Sequence, residues 1–298
     1  PVQRVAADEK RANLKEAERW VRDAVAQGAR VVALPEVFIW RGSKKLERRN
    51  AEPIPGPTSE AMAALAAELK INLLAGSILE EIPGSEKAYN TSLLFDPSGK
   101  LLASYRKIHL FDVDLANGVS LRESDTRAPG EAVVAARTDL GIMGLSVCYD
   151  LRFPELYRGL AGQGAQMIFV PAAFTAYTGT AHWEPILRAR AIENQAYVVA
   201  PAQFGRSGGS FETHGHTMIV DPWGRVLAEQ ADGPGVVIAE IDLDYLEKVR
   251  AELPARGYRR YRLRPGAARA AAEWSGAAPG LLRATETTLE NDVLRVEL

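Results

Sequence analysis

Helix-like and strand-like segments alternate along most of this chain, and two tight turns add hairpins to the alternation. Residues 8–27 repeat apolar side chains at helical spacing and stop at Gly28, and residues 30–34 follow as a short strand. Further helices are predicted at 58–69, 154–162 and 182–194, further strands at 71–77, 142–147, 166–170, 196–202 and 216–220, and hairpin turns at 96–99 and 221–224. Crossover units combined with hairpins predict mixed sheets covered by helices, and therefore an α/β fold in one domain.

The only cysteine, Cys148, follows the predicted strand 142–147 and precedes a segment that contains two acids, an arginine and a proline. A single cysteine forms no internal disulfide, and the chain lacks the closely spaced Cys and His residues of a structural zinc site. Cys148 is therefore either a buried packing residue or a nucleophile. The polar segment and the helix-starting Pro154 favour the nucleophile, because a strand–turn–helix elbow exposes a side chain beside free backbone N–H groups.

A thiol in that position needs a base or a cation, because only a few per cent of an ordinary cysteine is ionised at neutral pH. Glu36 lies just past the end of the strand 30–34, and Lys107 lies at the end of the strand that follows the first hairpin. Taken alone, Glu36 is compatible with a solvated loop acid, and Lys107 with an edge-strand guard against aggregation. Three strand ends that carry Glu, Lys and Cys predict one catalytic constellation if those strands come together.

Composition restricts the classes of partner. The chain has 298 residues, of which 25% are charged, and its net charge is only −2. This balance offers no basic surface for nucleic acid or an anionic membrane, and no apolar run reaches the roughly 18 residues of a membrane-spanning helix. We expect a cytoplasmic protein that acts on a small molecule and uses neither a metal nor another cofactor. The pair His214 and His216 is a weak metal motif, because no further His or Cys lies near it in the sequence.

Three motifs resemble those of the nitrilase superfamily of carbon–nitrogen hydrolases, namely Leu34-Pro35-Glu36, Arg106-Lys107 and Val147-Cys148-Tyr149-Asp150. The resemblance runs from about Val2 to about residue 261, and the segments 178–195 and 215–224 fit the amidase branch of the superfamily. It implies a four-layer αββα sandwich with two mixed β-sheets. It also implies a homo-oligomer, either a dimer or a larger assembly.

The resemblance further implies a catalytic role for each motif. Glu36 takes the proton of Cys148, the thiolate attacks the amide carbon, and Lys107 with the N–H of Tyr149 holds the oxyanion. Ammonia leaves from a thioester, which water then hydrolyses. A second glutamate positions the lysine in this superfamily, and Glu123 occupies the matching place.

The same resemblance implies a small amide substrate that bears a carboxylate, such as deaminated glutathione or an α-keto-acid ω-amide. Arg152, four residues after the nucleophile, is the predicted carboxylate-binding residue, because a guanidinium fork grips a carboxylate through two hydrogen bonds. A purely structural pairing of Arg152 with Glu155 or another acid is the alternative. Tyr149, Phe174 and Thr175 are further candidates for contacting the substrate.

Several other functions stay open at this point. A nitrilase or an N-carbamoyl amidase belongs to the same superfamily, whereas a papain-type hydrolase requires a Cys-Gly-Ser-Cys-Trp motif that is absent. A thiol redox sensor would oxidise Cys148 without forming an acyl intermediate. A non-catalytic binding protein on the same fold is the third alternative.

The resemblance divides the chain into a hydrolase domain at residues 1–263 and an extension of unknown role at 264–298. Residues 289–298 alternate like a strand, and we expect this segment to pair with the chain's own sheet edge or with another subunit.

Overall fold

The structure is a computed structural model that describes residues 1–114, 116, 120–206 and 211–253, together with three short strands near the C-terminus. The chain divides into two units, residues 1–257 and residues 258–298, and each is described by itself. In the described part of the first unit, the α-helices are α1 (Lys10–Ala26), α2 (Glu47–Asn50), α3 (Pro57–Leu69), α4 (Pro154–Gly162), α5 (Ala176–Asn194) and α6 (Leu243–Glu252).

Helix ends follow local capping chemistry. Glu9 caps α1 by accepting hydrogen bonds from the N–H groups of Arg11 and Ala12, and Pro154 occupies the first turn of α4 as predicted. The helix predicted at 182–194 instead begins at Ala176, because the Thr175 side chain accepts a hydrogen bond from the N–H of Thr178 and caps it there. The prediction was wrong at this end, and residue 182 lies inside α5.

The first half of the chain supplies the strands of the first sheet and three strands that lie outside it. They are β1 (Val2–Gln3), β2 (Val31–Ala33), β3 (Asn72–Leu74), β4 (Ile78–Glu81), β5 (Ala88–Phe95), β6 (Leu101–Arg106), β7 (Asp112–Asp114), β8 (Ser120–Arg122) and β9 (Arg127–Ala128). The first sheet has the order β2-β3-β5-β4, with β6 and β9 also paired to β5. β2 and β3 are parallel, whereas β5 and β6 form the predicted antiparallel hairpin.

The second sheet follows in the second half of the first unit. Its strands and their short companions are β10 (Val134–Thr138), β11 (Gly141–Leu145), β12 (Met167–Phe169), β13 (Tyr197–Ala200), β14 (Phe204–Gly205), β15 (Thr213–His214), β16 (Thr217–Val220), β17 (Val226–Gln230) and β18 (Gly235–Val236). The second sheet has the order β10-β11-β12-β13-β16-β17. β11, β12 and β13 are parallel, and the others join antiparallel.

Helices cover the outer face of each sheet. α1 and α3 contact each other and the first sheet, whereas α4 and α5 contact each other and the second sheet. Residues from the facing sides of both sheets, including Leu94 and Leu145, belong to one buried apolar cluster. A second cluster joins the first sheet to α1 and α3 and includes Val21 and Leu65. The predicted four-layer αββα sandwich with two mixed sheets is therefore confirmed.

Gly76 allows the loop after β2 to pack closely against the first sheet. The strand predicted at 71–77 ends at Leu74, and the chain turns at Gly76 with φ +43° before β4 begins. A Cβ on Gly76 would lie only 2.0 Å from the carbonyl oxygen of Pro35, so no other residue fits without displacing that segment. Gly76 thereby allows the loop after β2 to fold closely against the sheet.

In the second unit the structure describes β19 (Arg283–Ala284), β20 (Thr288–Glu290) and β21 (Arg295–Glu297), which pair antiparallel in that order. The strand predicted at 289–298 is thus divided between β20 and β21, and these pair with each other within the extension. The predicted domain boundary after residue 263 lies outside the described residues. Among the described residues, no helix combines the length and apolar character needed to cross a membrane.

Candidate active site

Cys148 occupies a sharp turn between β11 and α4. Its backbone lies in the left-handed region at φ +50°, and its N–H donates to the carbonyl oxygen of Pro171 at 2.9 Å. A single 3₁₀ turn (Cys148–Arg152) then leads into α4 at Pro154. A non-glycine residue in this conformation costs about 1–3 kcal/mol, which the surrounding structure has to offset. The thiol is placed where the sequence predicts an elbow, and it is buried, with only 6% of the residue exposed.

Asp150 holds the elbow in this shape. Its Oδ2 accepts hydrogen bonds from the N–H of Val147 at 2.8 Å and the hydroxyl of Tyr105 at 2.7 Å. Its Oδ1 accepts from the N–H of His109 at 3.0 Å and lies 2.7 Å from His109 Nδ1. Because Tyr105 belongs to β6 and Val147 follows β11, this buried carboxylate joins the two sheets beside the thiol.

Glu36 follows β2 in a buried loop, and its carboxylate is fixed by groups from both sheets. Oε1 accepts hydrogen bonds from Asn90 Nδ2 at 2.8 Å and Lys107 Nζ at 3.0 Å. Oε2 accepts from the N–H of Ala173 at 2.8 Å, in the segment that follows β12. The structure excludes the solvated loop acid as an interpretation of Glu36, since only 3% of the residue is exposed.

Lys107 follows β6 directly and lies between two glutamates. Its Nζ is 3.0 Å from Glu36 Oε1 and 2.9 Å from Glu123 Oε2, and only 1% of the side chain is exposed. Glu123 Oε2 also accepts the N–H of Phe111 at 2.7 Å. An aggregation guard needs an exposed cation, so the structure excludes that interpretation of Lys107.

A further ion pair extends the cluster away from the thiol. Arg127 bonds Glu123 on one side and Glu47 on the other, where Nη2 lies 2.8 Å from Glu47 Oε1. The Thr126 hydroxyl donates to the second oxygen of Glu47 at 2.6 Å. The carboxylate of Glu123 is therefore held between two cations, Lys107 and Arg127.

Burial and these partners set the protonation states. Burial raises the pKa of the Cys148 thiol, the charge of Glu36 raises it further, and Lys107 offsets this only in part. Burial lowers the pKa of Lys107, but Glu123 and Glu36 outweigh burial and raise it overall. Burial also raises the pKa of Glu123, yet Lys107 and Arg127 bring it down to about 2. At neutral pH the thiol therefore keeps its proton, Lys107 is a cation and Glu123 is an anion.

The thiol, Glu36 and Lys107 open onto one cavity of about 600 Å³, here called the main cavity. Arg41, Lys44, Phe111 and Phe211 are among the other lining residues. A small side pocket meets the main cavity at Phe111, Cys148 and Ala173 and is also lined by Tyr149, Phe174, Thr175 and Thr178. A separate cavity of about 860 Å³, where β2 and β11 begin, contains none of the predicted site residues.

The structure places the predicted substrate-binding residues in two settings. Tyr149, Phe174 and Thr175 line the side pocket together with Cys148. Arg152 lines neither cavity. Its guanidinium nitrogens lie 3.3 Å from His182 Nδ1, and its guanidinium carbon lies 5.2 Å from the centre of the Phe174 ring. Among the described residues it makes no ion pair with Glu155, the acid that the sequence offers as its structural partner.

Five contributors to the site were not predicted from the sequence: Arg41, Glu47, Asn90, Arg127 and the N–H of Ala173. The spacing of four residues between Glu123 and Arg127 predicts a pair only on a helix, and Arg127 lies in β9. Asn90 stands in the polar run 90–92 of β5, so the sequence does not single it out. Glu47 meets Arg127 across 80 positions of the chain, which no local pattern predicts.

His214 and His216 do not join this site. Their rings stack with centroids 4.1 Å apart, and His216 Nδ1 lies 2.5 Å from Glu229 Oε1. Within the described residues, no group of three or more His, Cys, Asp or Glu side chains is arranged to hold a metal ion.

We expect Arg127→Met to lower kcat by about 100-fold. The carboxylate of Glu123 then loses one of its two cations and changes position, and Lys107, which Glu123 fixes, moves with it. The pKa of Glu123 should rise, so the acid limb of the kcat–pH profile should move to higher pH. Initial rates measured between pH 4 and pH 8 test this, with Arg137→Met as an exposed control on β10. A loss of stability with an unmoved acid limb would show that Arg127 only supports the fold.

Known proteins resemble this chain over most of its length. The family model described as carbon-nitrogen hydrolase matches residues 3–251. A deaminated glutathione amidase of Synechocystis is 46% identical over 250 residues, which cover 83% of this chain and 92% of that protein. An omega-amidase of Xenopus tropicalis is 40% identical over 262 residues, with 88% of this chain and 94% of that protein covered.

The crystal structure of Saccharomyces cerevisiae Nit3, a member of branch 10 of the nitrilase superfamily, superposes with a TM-score of 0.79. Its sequence is 35% identical, and the match covers 87% of this chain and 95% of that chain.

Proposed function

The chain belongs to the carbon–nitrogen hydrolase family and is a hydrolase of carbon–nitrogen bonds other than peptide bonds; on this premise, we propose that it cleaves a small carboxylate-bearing amide through a thioester on Cys148. One observation carries this proposal. The buried carboxylate of Glu36 and the ammonium of Lys107 lie 3.0 Å apart and share one cavity with the thiol.

In the first step Glu36 acts as the general base. The thiol keeps its proton in the resting enzyme, since burial and Glu36 raise its pKa, so a base has to remove that proton as sulfur attacks. Glu36 Oε1 and Oε2 are held by Asn90, Lys107 and the N–H of Ala173, which aims the carboxylate before substrate arrives. The sulfur then bonds to the amide carbon, and Glu36 holds the proton.

The tetrahedral intermediate carries a negative oxygen, which Lys107 and the N–H of Tyr149 stabilise. Tyr149 lies in the first turn after the elbow, and its N–H donates to no backbone carbonyl among the described residues. Lys107 is a cation at neutral pH and is fixed by Glu123. Removing one such donor typically costs about 10² to 10³ in kcat.

Collapse of the intermediate breaks the carbon–nitrogen bond, and the departing nitrogen takes the proton from Glu36. Ammonia leaves from a primary amide, and an amine leaves from a substituted amide. Glu36, again a carboxylate, then activates water against the thioester, which releases the acid and restores the thiol.

A substrate panel tests the proposal. We expect an α-keto-acid ω-amide or deaminated glutathione to have a kcat/KM at least about tenfold above that of a neutral amide of equal length, because charge-assisted hydrogen bonds favour the carboxylate. Hydrolysis of the ω-amide is measured by ammonia release, and hydrolysis of deaminated glutathione is measured by release of the amine. Preferred turnover of a nitrile or an N-carbamoyl amino acid would place the chain with a different activity of the same superfamily.

We also propose a homo-oligomer in the cytoplasm. Tyr177 and Ile192 on α5 are each about half exposed, at 52% and 51%, and Trp223 is 44% exposed, so α5 and its surroundings offer apolar surface to a second copy. A reducing compartment would keep the single thiol active. Light scattering on the purified protein tests the homo-oligomer, and cell fractionation tests the cytoplasmic location.

A further inference from the structure

Arg41 follows Glu36 by five residues and is buried in the same loop. The side chains of Val37, Phe38, Ile39 and Trp40 between them are all buried, so the loop turns back into the sandwich after β2. The N–H of Arg41 donates to the carbonyl oxygen of Ala7 at 2.9 Å, which fixes the backbone there. Only 7% of Arg41 is exposed.

No group in the described part of the chain pairs with the Arg41 guanidinium. It takes part in no hydrogen bond or ion pair there, and its Nη1 is fully buried without an acceptor. Other arginines that are mostly buried differ in this respect. Arg4 bonds Glu16 and the carbonyl oxygen of Asn13, Arg127 bonds Glu47 and Glu123, and Arg190 bonds Glu193 and the carbonyl oxygen of Leu151.

A buried cation without a partner is unfavourable, and this one stays charged. Burial lowers the pKa of Arg41 to about 10, and the nearby charge of Glu36 opposes that shift. The guanidinium is therefore a cation at neutral pH, and its hydrogen-bonding capacity is unused. Buried polar groups without a partner are rare, so a bound molecule is the natural source of the missing acceptor.

Arg41 also lines the main cavity, together with Cys148, Glu36 and Lys107. The ring of Phe211, another lining residue, has its centre 5.5 Å from the guanidinium carbon. The cavity thus combines the nucleophile with an unpaired cation against an aromatic wall. Arg152, in contrast, contacts His182 and lines neither cavity.

We propose that Arg41 is the residue that binds the carboxylate of the substrate and thereby sets the preference of this enzyme for anionic amides. The inference rests on the proposed function, and it assigns to Arg41 the role that the sequence suggested for Arg152. Bidentate pairing would give the carboxylate two charge-assisted hydrogen bonds and fix the distance between it and the scissile amide.

The test compares one amide in charged and neutral form, succinamate and its methyl ester, by ammonia release. We expect Arg41→Met to raise KM for succinamate by about 10- to 100-fold, the size of a hydrogen bond to a charged group. KM for the methyl ester should change by less than about threefold, and kcat for both by a similarly small factor. Arg41→Lys should lie between, because it keeps the charge and loses the fork.

Arg48→Met is the matched control, because Arg48 is close in sequence, pairs with Glu81 and lines no part of the main cavity. Arg152→Met is measured beside it. Equal losses on both substrates would mean that Arg41 acts on the thiol or on Glu36 rather than on substrate. A charge-selective loss in Arg152→Met alone would return the role to Arg152. Either outcome overturns the proposal.

A binding measurement covers the case in which Arg41→Met does not fold. The Cys148→Ala protein retains Arg41 and cannot turn the substrate over. Calorimetry should show that it binds succinamate at least about tenfold more tightly than the methyl ester. Equal affinity would overturn the role of Arg41 even if the wild-type enzyme hydrolyses amides. A wild-type protein that hydrolyses no amide would instead reject the proposed function itself.

Discussion

Replacing Cys148 by alanine is expected to abolish amide hydrolysis and to leave the fold intact. The thioester cannot form without sulfur, and the remaining groups of the site cannot supply another nucleophile of similar strength. Alanine meets the same backbone penalty as cysteine at φ +50°, so the elbow gains no new strain. Turnover of the preferred amide and the thermal midpoint of unfolding are the two measurements.

Because the chain has a single cysteine, a covalent intermediate on sulfur can be assigned without ambiguity. Mass spectrometry of wild-type protein quenched during turnover should show one acyl adduct, and any thioester has to lie on Cys148, since the chain has no other cysteine. The alanine variant should show none. If the alanine variant kept even about a tenth of wild-type turnover, the covalent mechanism would be wrong. General base catalysis by the remaining groups raises a reaction rate by only about 10² to 10⁴.

Lys107→Met should have the second largest effect, and it should act on both activity and stability. It removes the oxyanion cation and leaves Glu36 and Glu123 facing each other without a charge between them. Breaking a buried ion pair on one side costs about 3–5 kcal/mol. We therefore expect kcat to fall by at least about 10² and the melting temperature to fall by on the order of 10 °C.

A lysine outside the site gives the comparison. Lys100 lies in the exposed turn between β5 and β6, so Lys100→Met should change neither quantity measurably. The Lys107→Gln variant separates the two effects, because an amide can hydrogen-bond the glutamates but carries no charge. Normal turnover in either Lys107 variant would remove the lysine from the mechanism. Unchanged stability would contradict the ion-pair network described around it.

The parts of the site that follow strands were predictable from the sequence, and the parts that brace them were not. Cys148, Glu36 and Lys107 each lie at or just past the end of a predicted strand, and the ends of strands are where a layered α/β fold gathers polar groups. The elbow at Cys148 has its own local signal in the polar segment and Pro154. The α/β class followed from the alternation of helical and strand patterns, whereas the four-layer order followed only from the resemblance to the superfamily.

Pairings between distant segments carry no signal in a single sequence. The ion pair of Arg127 with Glu47, and the hydrogen bond from the N–H of Ala173 to Glu36, depend on how loops from separate elements pack. The start of α5 was missed because a capping threonine, rather than apolar periodicity, sets it. Arg41 was missed because its burial follows from a loop that turns inward, and loops are ordinarily expected at the surface.

The division of the site between the two sheets bears on refolding. Glu36 and Lys107 follow strands of the first sheet, whereas Cys148 and Ala173 follow strands of the second. Each sheet can acquire its strands and hydrogen bonds before the four groups meet, because the carboxylate of Glu36 gains its partner at Ala173 only when the sheets have docked. Recovered turnover in a refolding chain therefore reports the docking of the two halves, whereas recovered circular dichroism reports only that each half has formed.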